Sequence, residues 1–324
     1  ATDPAFLEGN KTSAYNPSGL EHLNFTLNVS VSGGLSDLSG NDGNYLACRG
    51  YQSFHNSTSY ANATVAFSST LGSGANVPHY QNWTGLALQA TEDLPTSGNE
   101  VRKVRIAYAP YYGPRPFEKI AVSLSRDGFL DAYVHNGSAW VAANNIAAVV
   151  ATDSGYKPYD IAYESNTSNL MLLYAVSSTN TARDLAYKIW NGSEWSAEAY
   201  VDDTTNANDI AGRWVSLYAN PWQNSTEMVG VYTDRVNNDV MAYVWNGTTW
   251  NNETILTDLV SINTEESIGV AYESISGRAM VVAGNNTAAA SSNAVYKIWD
   301  GKLPGTWSAF NTFDPNTAAA TVIN

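Results

Sequence analysis

Residues 190–195 read WNGSEW, residues 245–250 read WNGTTW and residues 135–140 read HNGSAW. One hexapeptide written three times at intervals of 55 residues marks an internal repeat. A fourth copy, WDGKLPGTW at 299–307, keeps the turn and both tryptophans. Asn-Gly at the centre predicts a two-residue type I′ hairpin, because that turn needs positive φ at both central residues. In that register Trp190 faces Ser193, Ile189 faces Glu194 and Lys188 faces Trp195. Trp190 and Trp195 then share a sheet face as diagonal neighbours.

Working outward, each turn is preceded by two more alternating apolar segments. VRIAYAP (104–110), YDIAYES (159–165), RWVSLYA (213–219) and SIGVAYES (267–274) read as first strands. EKIAVSLS (118–125), NLMLLYAVS (169–177), EMVGVYT (227–233) and RAMVVAG (278–284) read as second strands. The third strand runs into the Asn-Gly or Asp-Gly turn, and the fourth holds the last Trp. Each unit of about 55 residues is therefore a four-stranded antiparallel meander. Such a sheet cannot bury both faces alone and must stack on others like it. The fold class expected is all-β: a β-propeller-like array of at least four blades over residues 101–310, with an N-terminal β-region over 1–100. Residues 311–324 read as a tail or closing strand.

The blade sequences, IAYESNTSNLMLLYA, VAYESISGRAMVVAG and the W-N-G-x-x-W hairpins, resemble those of secreted β-propeller repeat proteins. The WDG-type hairpins are also similar to those of fucose-binding propeller lectins, which have about six blades. That resemblance implies sugar sites lined by Trp, Arg and Glu. Glu164 and Glu273 recur in AYES, but Arg183, Arg235 and Arg278 do not fall in register. Trp190, Trp195, Trp245 and Trp250 are the candidate sugar-stacking plates, and blade packing competes with that role.

The 324 residues carry 16 Lys and Arg against 30 Asp and Glu, a net charge of −14. That balance argues against nucleic acid and anionic membrane surfaces as partners. No apolar run of 18 residues predicts a spanning helix. The lone cysteine, Cys48, cannot form an internal disulfide. The start, ATDPAFLEGNKT, reads as a processed terminus.

Thirteen N-x-S/T sequons begin at Asn10, Asn24, Asn28, Asn56, Asn62, Asn82, Asn136, Asn166, Asn191, Asn224, Asn246, Asn252 and Asn285. In HLNFTLNVSVSG (22–33), Leu23, Phe25, Leu27, Val29 and Val31 alternate with polar residues. Asn24 and Asn28 fall on the polar face of that predicted strand. Other sequons sit on the repeated turn. N-linked glycans and export to the cell exterior or surface are the expectation.

The four histidines, His22, His55, His79 and His135, show no metal spacing, and no nucleophile elbow or phosphate loop is present. SRDGF at 125–129 resembles the Asp-box of sialidases faintly and reads as a simple turn. Oxygen donors crowd at Asp202, Asp203, Asn206, Asn208 and Asp209, a composition that suits Ca²⁺ but lacks the Gly and Glu of an EF-hand. No other cofactor is expected. The leading expectation is non-enzymatic: an extracellular structural glycoprotein that self-associates as a filament or surface layer, with the 23–31 strand pairing between subunits. The alternative is a carbohydrate-binding propeller lectin or adhesin; an extracellular glycosidase or lyase comes third.

Overall fold

The computed structural model describes residues 46–49, 54–55, 59–60, 63–67, 77–83, 89–97, 99–110, 112–149, 156–176, 185–201, 211–234, 239–257, 266–284, 294–301 and 304–313. These residues form five four-stranded antiparallel sheets. The first holds β1 (Leu46–Arg49), β4 (Ala63–Phe67), β5 (His79–Trp83) and β6 (Glu92–Asp93), with β2 (Phe54–His55) and β3 (Ser59–Tyr60) forming a separate small hairpin. Cys48 lies in β1 opposite Val65. The second is β7 (Val101–Tyr108), β8 (Lys119–Ser125), β9 (Phe129–His135) and β10 (Trp140–Ala148). The third is β11 (Tyr159–Tyr163), β12 (Leu170–Ala175), β13 (Leu185–Trp190) and β14 (Ala199–Val201). The fourth is β15 (Ala211–Ala219), β16 (Met228–Asp234), β17 (Val240–Trp245) and β18 (Trp250–Thr257). The fifth is β19 (Ile268–Tyr272), β20 (Ala279–Gly284), β21 (Ala294–Trp299) and β22 (Asn311–Phe313).

Sheets two to five are the meanders that the repeat predicts. The first sheet has the same antiparallel character within residues 46–93, where the sequence keeps only a trace of the repeat in HYQNWTG (79–85). The leading strands lie side by side: β1 beside β7, β7 beside β11, β11 beside β15 and β15 beside β19. That succession around an axis is the β-propeller arrangement, and it leaves the fourth strands on the outside.

The core sits in the gaps between sheets. One face of the third sheet (Leu170, Leu172, Tyr174, Ala186) packs on Ile120, Val122 and Val134 of the second. Its other face (Met171, Leu173, Leu185) packs on Leu217, Met228 and Met241 of the fourth. Apolar residues therefore occupy both faces, and the central strands read as continuous runs such as LMLLYA in β12, fully buried along its length. Polar bonds cross the gaps as well: Tyr159 Oη donates to the Val122 carbonyl at 2.8 Å.

The repeated turn differs from the expected type I′ hairpin. Trp190 stands directly opposite Trp195, Trp245 opposite Trp250 and Trp299 opposite Trp307. The connection between the first two pairs is thus a four-residue loop, with each tryptophan pair in direct cross-strand contact. Gly192 and Gly247 have φ of 102° and 99°, whereas Asn191 and Asn246 do not enter the positive-φ region. The asparagine acts through its side chain instead. Asn191 Oδ1 accepts from Ser193 N at 2.9 Å, Ser193 Oγ at 2.8 Å and Glu194 N at 3.0 Å. Asn136 and Asn246 make the same three contacts. Three donors converging on one side-chain oxygen favour the longer loop over a backbone-only turn. The Ser or Thr that completes each sequon is one of those donors.

Candidate functional site

The paired residues define one row per sheet, at the end of the strands that carries the repeated turn. In the third sheet the row is Leu170, Trp190, Trp195; in the fourth Met228, Trp245, Trp250; in the fifth Ala279, Trp299, Trp307. Each is apolar, and each faces the preceding sheet. Trp299 is fully buried and Trp307 Nε1 donates to the Asn252 carbonyl at 2.6 Å. Trp245 is 4% exposed, and its Nε1 donates to Glu164 Oε1 of the third sheet at 3.4 Å, so its ring lies inside the interface. Trp250 packs beside it at 5.6 Å, with Tyr187 of the third sheet against both. Trp190 and Trp195 are half-buried against the gap between the second and third sheets, their rings 5.6 Å apart.

In the second sheet the same row reads Lys119, His135, Trp140. Two of its three apolar places are taken by bases. The row faces Tyr80, Asn82 and Glu92 of the first sheet. Trp140 meets the Tyr80 ring edge-on at 5.4 Å and the His135 ring at 5.0 Å. Lys119 Nζ lies 5.4 Å from the Trp140 centroid and 6.0 Å from that of Tyr80, within cation–π range, and reaches Asn82 Oδ1 at 3.4 Å. Tyr80 Oη donates to Glu92 Oε2 at 2.5 Å, and Glu92 is exposed.

The charges follow from burial. Desolvation pulls the Lys119 ammonium down to about 8, and the Glu92 charge pulls the other way. Burial and then the neighbouring Lys119 lower the His135 pKa. His135 Nδ1 accepts from Gly137 N at 3.1 Å, which fits a neutral ring protonated at Nε2. Burial and then Glu92 raise the Tyr80 phenol. At neutral pH the gap therefore presents one ammonium, one carboxylate, a neutral imidazole and two aromatic rings. Trp140, His135, Lys119 and Asn82 are all only half-buried. An aromatic plate rimmed by donors and acceptors can stack an apolar ring face while hydrogen-bonding hydroxyl groups at its edge.

The other gaps close with protein groups. Arg115, in the loop between β7 and β8, donates through Nε to Glu118 at 3.1 Å, through Nη1 to the Asn191 carbonyl at 2.8 Å and through Nη2 to the Ser168 carbonyl. Tyr163 Oη donates to the same Glu118 at 3.0 Å. Two sheets further on, Tyr272 Oη donates to Glu227 at 2.8 Å, and Trp222 Nε1 to the Ser274 carbonyl at 2.9 Å. The recurrent acids of AYES part company: Glu164 is buried between sheets, whereas Glu273 is exposed and caps its own turn through Ile275 N and Ser276 N.

Among the sequon asparagines, Asn136, Asn166, Asn191 and Asn224 are exposed, and Asn82, Asn246 and Asn252 are half-buried. Asn252 has φ 53°. Asn10, Asn24, Asn28, Asn56, Asn62 and Asn285 lie outside the described residues, as do the 23–31 strand and the oxygen-rich Asp202, Asp203, Asn206, Asn208 and Asp209. Among the described residues no cluster of three or more His, Cys, Asp or Glu could hold a metal, and no helix is long and apolar enough to cross a membrane. SRDGF is a turn: Gly128 has φ 86° and its N–H reaches the Ser125 carbonyl at 3.1 Å.

No family model matches this chain, and no curated protein matches it. Solved structures do. A mutant of Aleuria aurantia lectin in complex with α-methyl-L-fucoside superposes with a TM-score of 0.51 at 12% identity, over 86% of this chain and 81% of that one. The same lectin, described as a six-bladed β-propeller with a novel fucose recognition mode, gives 0.50 at 13% identity over 86% and 80%. BP39L lectin from Burkholderia pseudomallei gives 0.53 at 13% identity over 78% and 67%. At this identity the likeness is one of fold, and it agrees with the all-β propeller expected from the repeat.

Proposed function

We propose that this protein is a carbohydrate-binding β-propeller whose principal site is the gap between its first two sheets. The observation that carries this reading is the row Lys119, His135, Trp140, polar and half-exposed where the three following sheets place apolar packing. Replacing packing residues with a lysine and a histidine costs burial free energy, and ligand contact is the return that explains it. The solved propellers of the same fold include fucose-binding lectins, which favours the sugar-binding reading over the structural-filament one. The segment on which self-association was expected to rest lies outside the described residues. Export and N-glycosylation belong with this reading, and exposed Asn136, Asn166, Asn191 and Asn224 are its best-placed acceptors.

The test is a glycan array followed by calorimetric titration of the best hit. Trp140→Ala and Lys119→Met each weaken binding by about tenfold or more, roughly 1.4 kcal/mol. Trp195→Ala, in the next gap, leaves it within about twofold of the intact protein, less than roughly 0.5 kcal/mol. No saturable sugar binding, or binding indifferent to both second-sheet variants, sinks the proposal.

A further inference from the structure

The seven sequon asparagines among the described residues share one end of the molecule. Asn136, Asn191 and Asn246 stand in the repeated turns, and Asn166 and Asn224 in the loops joining first and second strands. Asn252 lies near the start of β18 and Asn82 near the end of β5. In an antiparallel meander all these places fall at the same end of the strands, and it is the end that carries the row Lys119, His135, Trp140. Asn82 is the sequon inside the gap that this row faces. Tyr80 and Asn82 alternate along β5 onto one face. Tyr80 meets the Trp140 ring at 5.4 Å, and Asn82 Oδ1 accepts from Lys119 Nζ at 3.4 Å. Lys119 Nζ is in turn 5.4 Å from the Trp140 centroid. The acceptor amide and the aromatic plate are therefore no further apart than a sugar residue or two would span.

We propose that the Asn82 sequon controls the sheet-one gap. A chain glycosylated there holds its own sugar against Trp140 and Lys119 and is closed to free sugar; a chain left unmodified there is open. This rests on the carbohydrate-binding and export reading above and adds its regulation. Asn82-Trp83-Thr84 is a complete acceptor sequence. Transfer forms a bond between Asn82 Nδ2 and C1 of the first sugar, and breaks the bond from that carbon to a phosphate oxygen of a lipid-phosphate-linked oligosaccharide. One amide proton is released and the lipid phosphate leaves. Oδ1 keeps its lone pairs, so the contact with Lys119 survives the modification.

The half-buried place of Asn82 sets the timing. An amide packed between two sheets does not enter a transferase cleft, so transfer precedes docking of the first sheet on the second. The two events compete, and one preparation holds chains with and without this glycan. In the modified chains the tethered sugar is present at an effective concentration on the order of millimolar. A free sugar of equal affinity has to exceed that concentration to compete.

The full chain secreted from a glycosylating host, with Thr84→Ala and Thr84→Ser made alongside, tests this. Thr84→Ala removes the sequon and leaves Asn82; Thr84→Ser keeps both. Glycopeptide mass spectrometry gives the occupancy of Asn82, and acetic anhydride at pH 8 probes the gap through Lys119. Lys103 is the internal reference, because burial lowers it, like Lys119, to about 8, and it lies over the Trp214 ring at 5.9 Å, away from this gap. The expected result is partial occupancy and a loss of Lys119 labelling equal to that occupancy. Labelling is complete in Thr84→Ala, Thr84→Ser matches the parent chain, and Lys103 is unchanged throughout. The parent chain from a host without this glycosylation replaces Thr84→Ala if that variant does not fold. An Asn82 without glycan overturns the proposal, and so does an occupied Asn82 beside a Lys119 that labels as fully as in Thr84→Ala. Calorimetric titration with the sugar selected on the glycan array separates this proposal from the reading beneath it. More binding sites per chain in Thr84→Ala than in the parent supports it; equal numbers at an occupied Asn82 overturn it and leave the lectin reading standing. Sugar binding by neither protein, with Lys119 still shielded, sinks the lectin reading and leaves the glycan seated in the gap.

Discussion

Asn191 carries more of the repeat than its neighbours suggest. Its side-chain oxygen takes three hydrogen bonds and sets a loop that brings Trp190 and Trp195 directly opposite each other, their rings tilted by 50°. The fourth copy keeps that function with a carboxylate: Asp300 Oδ1 accepts from Thr306 N at 3.2 Å across a longer loop. What the position requires is therefore an acceptor, not an amide. Asn191→Asp removes the sequon and keeps the turn, so its thermal midpoint stays near that of the unmodified protein. Asn191→Ala strands those donors and costs about 1–2 kcal/mol. Denaturant melts of the two variants made without glycans check this. Equal losses would mean that Gly192, at φ 102°, holds the loop without help from its neighbour. The turn geometry was beyond the sequence because Asn-Gly fits both a backbone turn with two positive φ values and a side-chain-capped loop. Ser193 and Glu194 donate the bonds that decide between them.

At the scale of the element, the strands and their order were legible because period-two alternation and a 55-residue interval each constrain the chain independently. The first sheet was only faintly legible: Trp83, opposite Ala63 at the end of β5, holds the place of Trp190, Trp245 and Trp299, but no second tryptophan follows it and a separate hairpin interrupts the strands. The candidate site was half legible. HNGSAW shows that His135 replaces a Trp, but Lys119 enters the row only through cross-strand register, and Tyr80, Asn82 and Glu92 come from the sheet that the repeat marks only by Trp83. The same register ranks the tryptophans. Trp299 is fully buried between sheets four and five, whereas Trp195 is half-buried at the edge of its gap. Trp299→Ala should destabilise by about 3–5 kcal/mol, the usual cost of emptying a large aromatic site, and Trp195→Ala by clearly less. Chemical denaturation of both variants measures the difference. A smaller loss at Trp299 would show that the last sheet contributes little to global stability and opens locally.

For the whole molecule, the sheets are joined through gaps that bury ionisable groups from two neighbours at once, and this ties stability to pH. Lys103 and Lys119 are lowered by burial to about 8, against about 10.5 in an unfolded chain. Above pH 8 the fold releases protons that the unfolded chain retains, so these two groups add stability as pH rises toward 10.5. The interface tyrosines act in the opposite sense. Burial pushes Tyr133 up to about 12 and also raises Tyr163 and Tyr272, each of the latter two reinforced by the glutamate to which it donates. Above about pH 10 the unfolded chain loses phenolic protons that the fold keeps, and stability falls. The thermal midpoint should therefore climb from pH 8, peak near pH 10 and drop beyond it. Scanning calorimetry across pH 7–11 at fixed chloride concentration would trace this curve. Combining Lys103→Gln with Lys119→Met flattens the rise and leaves the fall, because the phenols remain. A midpoint of the unmodified protein that declines steadily from pH 7 would mean that both amines keep their protons in the fold. The sheet-one gap would then hold its ammonium through the whole range, and sugar affinity at pH 9 would match that at pH 7 instead of falling as Lys119 loses its charge.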